Sequence, residues 1–144
     1  FADPDILQRS ATAVRTLHQG PRFVNDFDMF ARQAGYLATI AERGYRLPAA
    51  YDRYAEDWAE VEKALAVRGR PTVPCNNDLL AANFIDAGEK VWLIDYEYSG
   101  NNDACFELGN TTTECSFSDE EVDAWTEAYN TPELYKWLLE QKRR

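Results

Sequence analysis

The chain has 144 residues, of which 45% are apolar and 13% are aromatic. This length and composition suffice to bury the core of one domain of ordinary size. The formal net charge of −10 argues against a surface for nucleic acid or anionic membranes and is compatible with a cationic ligand. No apolar run approaches the roughly 20 residues that a membrane-spanning helix needs, and the first residues lack a secretory signal pattern. We therefore expect a soluble protein of the cytoplasm.

The three cysteines agree with that location. An odd number of cysteines cannot all pair within the chain, and the spacing of Cys75, Cys105 and Cys115 matches neither a disulfide framework nor a CxxC metal pair. A reducing compartment is the simpler inference.

The first seventy residues have the apolar spacing of three amphipathic helices. These helices are predicted to begin near residues 3, 27 and 48 and to end near Gly20, Gly44 and Gly69. The first has a clear start signal, with Asp3 as N-cap and Pro4 at the first helical position. His18, the only histidine in the chain, ends this helix, and we interpret it as a helix-end or packing residue rather than a catalytic one.

About halfway along the chain, short apolar runs replace the helical spacing. Residues 72–74 are predicted to be extended, and residues 83–86 and 90–94 to form two short strands joined by a three-residue turn. Trp92 lies in the second strand and is interpreted as a packing residue. Trp125, on a later amphipathic helix, is interpreted as part of the core.

Beyond Gly100 the chain is expected to be helical again. One helix starts within residues 105–110, and the pair Ser118 and Glu121 forms a capping box for the next one. Thr131 and the proline after it open a last helix.

One spacing in the sequence is typical of phosphoryl transfer. Asp78 is followed five residues later by Asn83 and, after a hydrophobic run, by Asp95, which is the spacing that kinases use for a catalytic base and two metal-binding groups. Asp78 could orient the attacking hydroxyl and accept its proton. Asn83 and Asp95 could supply the hard oxygen ligands that Mg²⁺ prefers. Because the predicted hairpin lies between the two loops, it would hold both carboxylates near one metal cluster.

The same residues also have a simpler explanation. An Asn-Asn-Asp run favours a turn or a helix cap, and an Asp that ends a strand is an ordinary turn signal. The D-x-x-x-x-N spacing alone arises by chance. The succession of loop, short strand, turn, apolar strand and Asp is more demanding, and it favours an active site.

Three segments resemble the choline/ethanolamine kinase family, within the aminoglycoside phosphotransferase and protein kinase-like superfamily. They are residues 74–84, 94–99 and 106–110. The resemblance implies an α+β, mainly helical fold: a protein kinase-like C-terminal lobe in which a small β-hairpin carries the catalytic and metal loops. We expect residues 1–144 to be a single domain from which the N-terminal nucleotide lobe, with its glycine-rich lid, is absent. Residues 131–144 are expected to be a terminal helix of uncertain origin.

Carried over by residue, the resemblance implies that Asp78 is the catalytic base and that Asn83 and Asp95 bind Mg²⁺, with ATP as the phosphoryl donor. Tyr98 and Glu114 match positions that help line the choline pocket. A quaternary ammonium has no N–H to donate, so aromatic faces and a nearby carboxylate hold it. The alternatives are a half-buried loop aromatic for Tyr98 and a solvated helix acid for Glu114.

Two further residues are expected to support these loops. Family members carry His where this chain has Asn76, and that histidine holds the catalytic loop by hydrogen bonds. Asparagine offers a donor and an acceptor of similar reach. Glu97 is expected to orient the metal loop, or alternatively to be a surface acid.

The expected function is ATP- and Mg²⁺-dependent phosphorylation of choline, ethanolamine or a related amino alcohol by the full-length protein, with this chain alone inactive. Its expected partner is a small cationic alcohol, with no nucleic acid and no membrane span. A non-catalytic, pseudokinase-like binding module is one alternative, suggested by Asn76 and the expected absence of the nucleotide lobe. An aminoglycoside-type phosphotransferase is another.

Overall fold

The computed structural model describes residues 1–68 and 71–129. The chain divides into two compact units. Of the described residues, the first contains Phe1–Asp26 and those from 72 to 129, and the second contains those from 27 to 71. Each unit is described by itself.

The first unit opens with helix α1, Pro4–His18, which confirms the first predicted helix. The Asp3 carboxylate accepts a hydrogen bond from Asp5 N–H at 2.9 Å and so satisfies one of the amides that every helix start leaves unpaired. Leu7 and Val14 lie on one face of α1, two turns apart, and both are buried. This face places α1 at the centre of the unit's core.

Four short strands form two antiparallel pairs. Strand β1 (Val73–Cys75) pairs with β4 (Gly100–Asn102), and β2 (Phe84–Asp86) pairs with β3 (Val91–Leu93). The second pair confirms the predicted hairpin. Its turn contains Gly88 at a φ of 86°, a left-handed conformation that glycine adopts at little cost.

The pairing of β1 with β4 was not predicted. We expected helix beyond Gly100, because Gly-Asn-Asn shows neither apolar alternation nor β-branched residues. That expectation is wrong for residues 101 and 102, which lie in β4 and are buried. Polar side chains hold this strand in place: Asn101 Nδ2 donates to Phe23 O at 2.9 Å and to Asn25 O at 2.8 Å.

Trp92 is 53% exposed, so its interpretation as a packing residue is wrong. Alternate side chains of a strand point to opposite faces. Val91 and Leu93 are on the face that packs against the core, so Trp92 is on the other face, opposite Ile85 of β2. Lys90 Nζ lies 3.6 Å from the centroid of the Trp92 ring, which is a cation–π contact.

Helices α4 (Ala104–Glu114) and α5 (Asp119–Tyr129) follow the strands in this unit. The capping box is confirmed, since Ser118 N–H donates to Glu121 Oε2 at 2.8 Å and Glu121 N–H donates to Ser118 Oγ at 3.2 Å. Trp125 is 1% exposed and belongs to the core, as predicted. The buried core cluster contains Leu7, Ala11, Val14, Leu79, Cys105, Leu108, Trp125, Ala128 and Tyr129.

The second unit is helical. It contains α2 (Met29–Arg43), a short 3-10 helix (Tyr51–Tyr54) and α3 (Ala55–Arg68). Gly44 ends α2 in the left-handed conformation, with a φ of 64°, as helix-terminating glycines commonly do. The rings of Phe30 and Trp58 pack together with their centroids 4.9 Å apart, which joins α2 to α3.

The predicted fold class is confirmed in its architecture, which is mainly helical with a small hairpin between the loops of Asp78 and Asp95. None of the described helices is long and apolar enough to cross a membrane. The single domain over residues 1–144 stays a prediction, and the predicted terminal helix over residues 131–144 lies outside the described residues.

Candidate active site

Two loops carry the predicted active-site residues. We call residues 76–80, which follow β1, the Asp78 loop, and residues 94–99, which follow β3, the Asp95 loop. Asn77 and Asp95 have φ of 67° and 59°, left-handed values that are uncommon for residues with a side chain. Held backbone strain of this kind is concentrated at functional sites.

Asn76 connects the two loops. Its side chain is fully buried, and Nδ2 donates to the carbonyls of Ile94 at 3.1 Å and Asp95 at 3.0 Å. Its Oδ1 accepts the N–H of Asp78 at 3.0 Å. One amide therefore fixes the backbone of both loops at the residues on which the proposed chemistry depends.

The side chain of Asn77 connects the Asp78 loop to residues 98 and 102. Its Nδ2 donates to Tyr98 O at 3.0 Å, and its Oδ1 accepts a hydrogen bond from Asn102 Nδ2 at 2.8 Å. These contacts join the loop to β4 and to the end of the Asp95 loop, and they fix the left-handed backbone immediately before Asp78.

Asn83 stands at the start of the hairpin and is buried. Its Nδ2 donates to Asp78 O at 2.7 Å, and its backbone carbonyl accepts the N–H of Ile94 at 3.1 Å. This orientation leaves Oδ1 as the ligand atom that Asn83 offers to a cation. The hydrogen bonds thus bring the predicted set of Asp78, Asn83 and Asp95 to one cluster of loops.

The other predicted site residues lie at the edge of this cluster or away from it. Tyr98 is 39% exposed, and its carbonyl is tied to Asn77. Glu97 is exposed in the same loop. Glu114 ends α4 and is exposed, and within the described part of the chain no hydrogen bond joins it to the other predicted site residues.

Sequence reasoning missed a buried chain of contacts behind the Asp78 loop. Glu107, on α4, is 1% exposed; its Oε1 accepts Asn77 N–H at 2.6 Å, and its Oε2 lies 2.6 Å from His18 Nε2. His18 Nδ1 lies 2.6 Å from the Tyr129 hydroxyl. His18 does end α1, as interpreted, but its partners are 89 and 111 residues away, so no local pattern could reveal them.

Burial, together with nearby negative charge, keeps the Tyr129 hydroxyl and the Cys75 thiol protonated. It raises the pKa of Tyr129 to about 12 and also raises the pKa of the Cys75 thiol, to which the charge of Glu107 adds. Ligand atoms of His18, Cys75 and Glu107 lie within 4.8 Å of one another, a spacing that a metal ion could use. Both Glu107 oxygens already have hydrogen-bond partners in His18 and Asn77, so hydrogen bonding accounts for the cluster.

A sequence profile of the choline/ethanolamine kinase family matches residues 2–140. Protein LicA of Haemophilus influenzae is 28% identical over 112 residues, which cover 74% of this chain and 40% of that protein. The crystal structure of a choline/ethanolamine kinase family protein from Mesorhizobium loti superposes with a TM-score of 0.80 at 33% identity, covering 90% of this chain and 44% of the other.

Choline kinase LicA from Streptococcus pneumoniae is similarly related. Its crystal structure gives a TM-score of 0.79 at 25% identity and covers 94% of this chain and 52% of LicA. A LicA structure has also been solved in complex with AMP. The chain thus spans about half the length, or less, of the relatives it matches.

Proposed function

Because the chain belongs to the choline/ethanolamine kinase family, as its motifs predict, we propose that the full-length protein transfers the γ-phosphoryl group of ATP to the hydroxyl of choline, ethanolamine or a related amino alcohol. The observation that carries this proposal is the connection made by Asn76. It holds the N–H of Asp78 and the carbonyl of Asp95 with one buried side chain, so the same group fixes the backbone of both residues.

In this proposal, Asp78 orients the substrate hydroxyl and accepts its proton. The residue is half-buried, which allows its carboxylate to reach a bound substrate. Asn76 accepts the N–H of Asp78, and the side chain of Asn77 holds the residue just before it. The backbone that carries the Asp78 carboxylate is therefore fixed before substrate binds. Such preorganisation is a main source of rate enhancement in phosphoryl transfer.

The residues of the Asp95 loop and the hairpin fit a magnesium ion. Asn83 Oδ1 and the Asp95 carboxylate are hard oxygen ligands, few in number, as Mg²⁺ prefers when phosphates and water complete its coordination. The bond from Asn83 Nδ2 to Asp78 O turns the amide oxygen away from the Asp78 backbone. Bound there, Mg²⁺ would neutralise negative charge on the phosphates of ATP.

An amino alcohol is proposed as the substrate because of the family and because of the negative net charge of the chain. Tyr98 and Glu114 are the proposed substrate-binding residues, since an aromatic face and a carboxylate suit a cationic head group. Glu97 is proposed to support the Asp95 loop. The net charge of −10 favours the approach of a cation. AMP in a LicA structure is consistent with an adenine nucleotide as the donor.

The loss of the family histidine does not by itself favour a non-catalytic protein. Asn76 makes three hydrogen bonds to the two loops, so the loops are held although the imidazole is missing. We therefore prefer the phosphotransferase over a pseudokinase-like binding module.

The test is a substrate panel with the full-length protein. Choline, ethanolamine and an aminoglycoside are each incubated with ATP and Mg²⁺, and phosphorylated products are measured by ³¹P NMR. We expect product from choline or ethanolamine and none when EDTA removes Mg²⁺. Product from the aminoglycoside alone, or ATP binding by calorimetry without any product, would contradict the proposed function.

A further inference from the structure

The contact chain that runs from Tyr129 through His18 and Glu107 to Asn77 has no role in the proposed reaction as described so far. Its three side chains are all at least nine-tenths buried, and each contact in it is 2.6 Å long. Buried polar groups cost free energy when any of them is left unpaired, whereas a fully satisfied network makes its surroundings rigid. Because apolar side chains in place of a buried ion pair are often as stable or more stable, the geometry indicates a role beyond packing.

One assignment of protons satisfies every group in this chain. Glu107 accepts Asn77 N–H with Oε1, so its Oε2 accepts the proton of His18 Nε2. His18 Nδ1 then has a free lone pair, which accepts the Tyr129 hydroxyl proton. The raised pKa of Tyr129, about 12, is consistent with a hydroxyl that keeps its proton. Because a carboxylate only accepts, Glu107 fixes the tautomer in which His18 donates to it, and the Tyr129 hydroxyl completes the chain by donating to Nδ1.

We propose that His18 is a positioning residue for phosphoryl transfer, acting through Glu107 on the backbone N–H of Asn77 and so on the presentation of Asp78. Asn77 has a φ of 67° and needs partners to hold that conformation. Without the His18 donor, the Glu107 carboxylate is free to rotate away from Asn77. A shift of about 1 Å in a reacting group can cost about a hundredfold in rate. The activity part of this proposal rests on the proposed function.

Four variants of the full-length protein test the proposal. His18→Leu replaces the donor with an apolar side chain, and His18→Gln restores a donor near the position of Nε2. Tyr129→Phe removes only the hydroxyl that donates to His18 Nδ1. Val14→Ala is the matched control, because Val14 is fully buried one turn earlier on the same helix and has no polar group to offer the loop.

We expect His18→Leu to lower kcat by about tenfold or more while the KM values for ATP and choline change by less than about twofold. His18→Gln is expected to recover most of the lost kcat, and Tyr129→Phe to lie between it and His18→Leu. Val14→Ala should lower Tm but leave kcat unchanged well below its Tm. If His18 had a merely structural role, its loss would not lower kcat at constant KM, and His18→Gln would not restore kcat.

Hydrogen exchange of the Asn77 amide is a readout that needs no activity. We expect faster exchange at Asn77, relative to amides within α4, in His18→Leu and Tyr129→Phe but not in Val14→Ala. The proposal is overturned if His18→Leu keeps kcat within about twofold of wild type or leaves Asn77 exchange unchanged. Should His18→Leu not fold, Tyr129→Phe decides by the same measurements. A wild type without kinase activity would refute the proposed function, whereas the exchange experiment would still test His18.

Discussion

Asn76 shows how a different side chain can take over a family position. An imidazole and a carboxamide differ in shape, but each offers a donor and an acceptor. Here Nδ2 is shared between the carbonyls of Ile94 and Asp95, and Oδ1 accepts the N–H of Asp78. In the proposed reaction, Asn76 acts by linking two backbones, a role that needs no titratable group.

Asn76→Ala should therefore impair both stability and activity. It leaves three part-buried backbone groups without this partner, which costs up to about 1–3 kcal/mol, and it frees the two loops to move apart. We expect a lower Tm in thermal unfolding and a kcat reduced by about tenfold or more. Asn76→His, which restores the family residue, should retain activity. Full kcat in Asn76→Ala would show that the link is dispensable.

Two cysteine thiols and one tyrosine hydroxyl predict how the free energy of unfolding changes with pH in the alkaline range. Burial raises the pKa of Cys115 from 9.0 to about 11 and that of Tyr129 from 10.0 to about 12, and it raises the pKa of Cys75 as well. Above the ordinary values, the unfolded chain has lost these protons while the folded chain keeps them. The unfolded state then binds fewer protons, so the free energy of unfolding decreases as pH rises.

Urea unfolding between about pH 8 and about pH 11 measures this slope. Cys115→Ser is a matched variant, because serine keeps a donor for Leu79 O, which the thiol contacts at 3.6 Å, but does not titrate in this range. We expect a shallower decline for Cys115→Ser than for wild type. A stability that stayed constant or increased over this range would contradict the role of these groups.

At the scale of elements, the hairpin positions both metal-binding candidates, and its turn depends on Gly88. Any other residue at its φ of 86° is strained, at a cost of about 1–2 kcal/mol. Gly88→Ala should lower the free energy of unfolding by that amount. Gly109→Ala is the control, because Gly109 lies within α4 with open space around an added Cβ, and alanine there should stabilise by up to about 1 kcal/mol. Equal effects of the two variants in urea unfolding would contradict this account.

The elements also show what sequence patterns can predict. Helices α1 and α5 and the hairpin were predicted because their signals are local: an Asp-Pro start, a capping box and a turn between apolar runs. Strand β4 was not predicted, because Gly-Asn-Asn has no strand propensity and gains its partners only from β1 and from residues 23–25. Trp92 was misjudged since an apolar residue in a short strand has no local signal for the face it occupies.

At the scale of the whole molecule, the spacing of Asp78, Asn83 and Asp95 predicted a cluster of loops, and the hydrogen bonds of Asn76 and Asn83 bring those loops together. The supporting contacts were not predictable in the same way. Glu107 lies in the family-like segment 106–110, but its partner His18 precedes it by 89 residues. Contacts between residues so far apart follow from the folded topology and not from any local pattern.

The most direct measurement is the rate at which the full-length protein forms phosphocholine or phosphoethanolamine from ATP in the presence of Mg²⁺. This rate is measured by ³¹P NMR for three proteins: wild type, Asp78→Asn and Glu127→Gln. Asp78→Asn keeps the shape of the side chain and removes its ability to accept a proton, whereas Glu127 is an exposed acid on α5. We predict product from wild type and Glu127→Gln, and a kcat lowered by about a hundredfold or more in Asp78→Asn. Equal rates for wild type and Asp78→Asn would contradict the account.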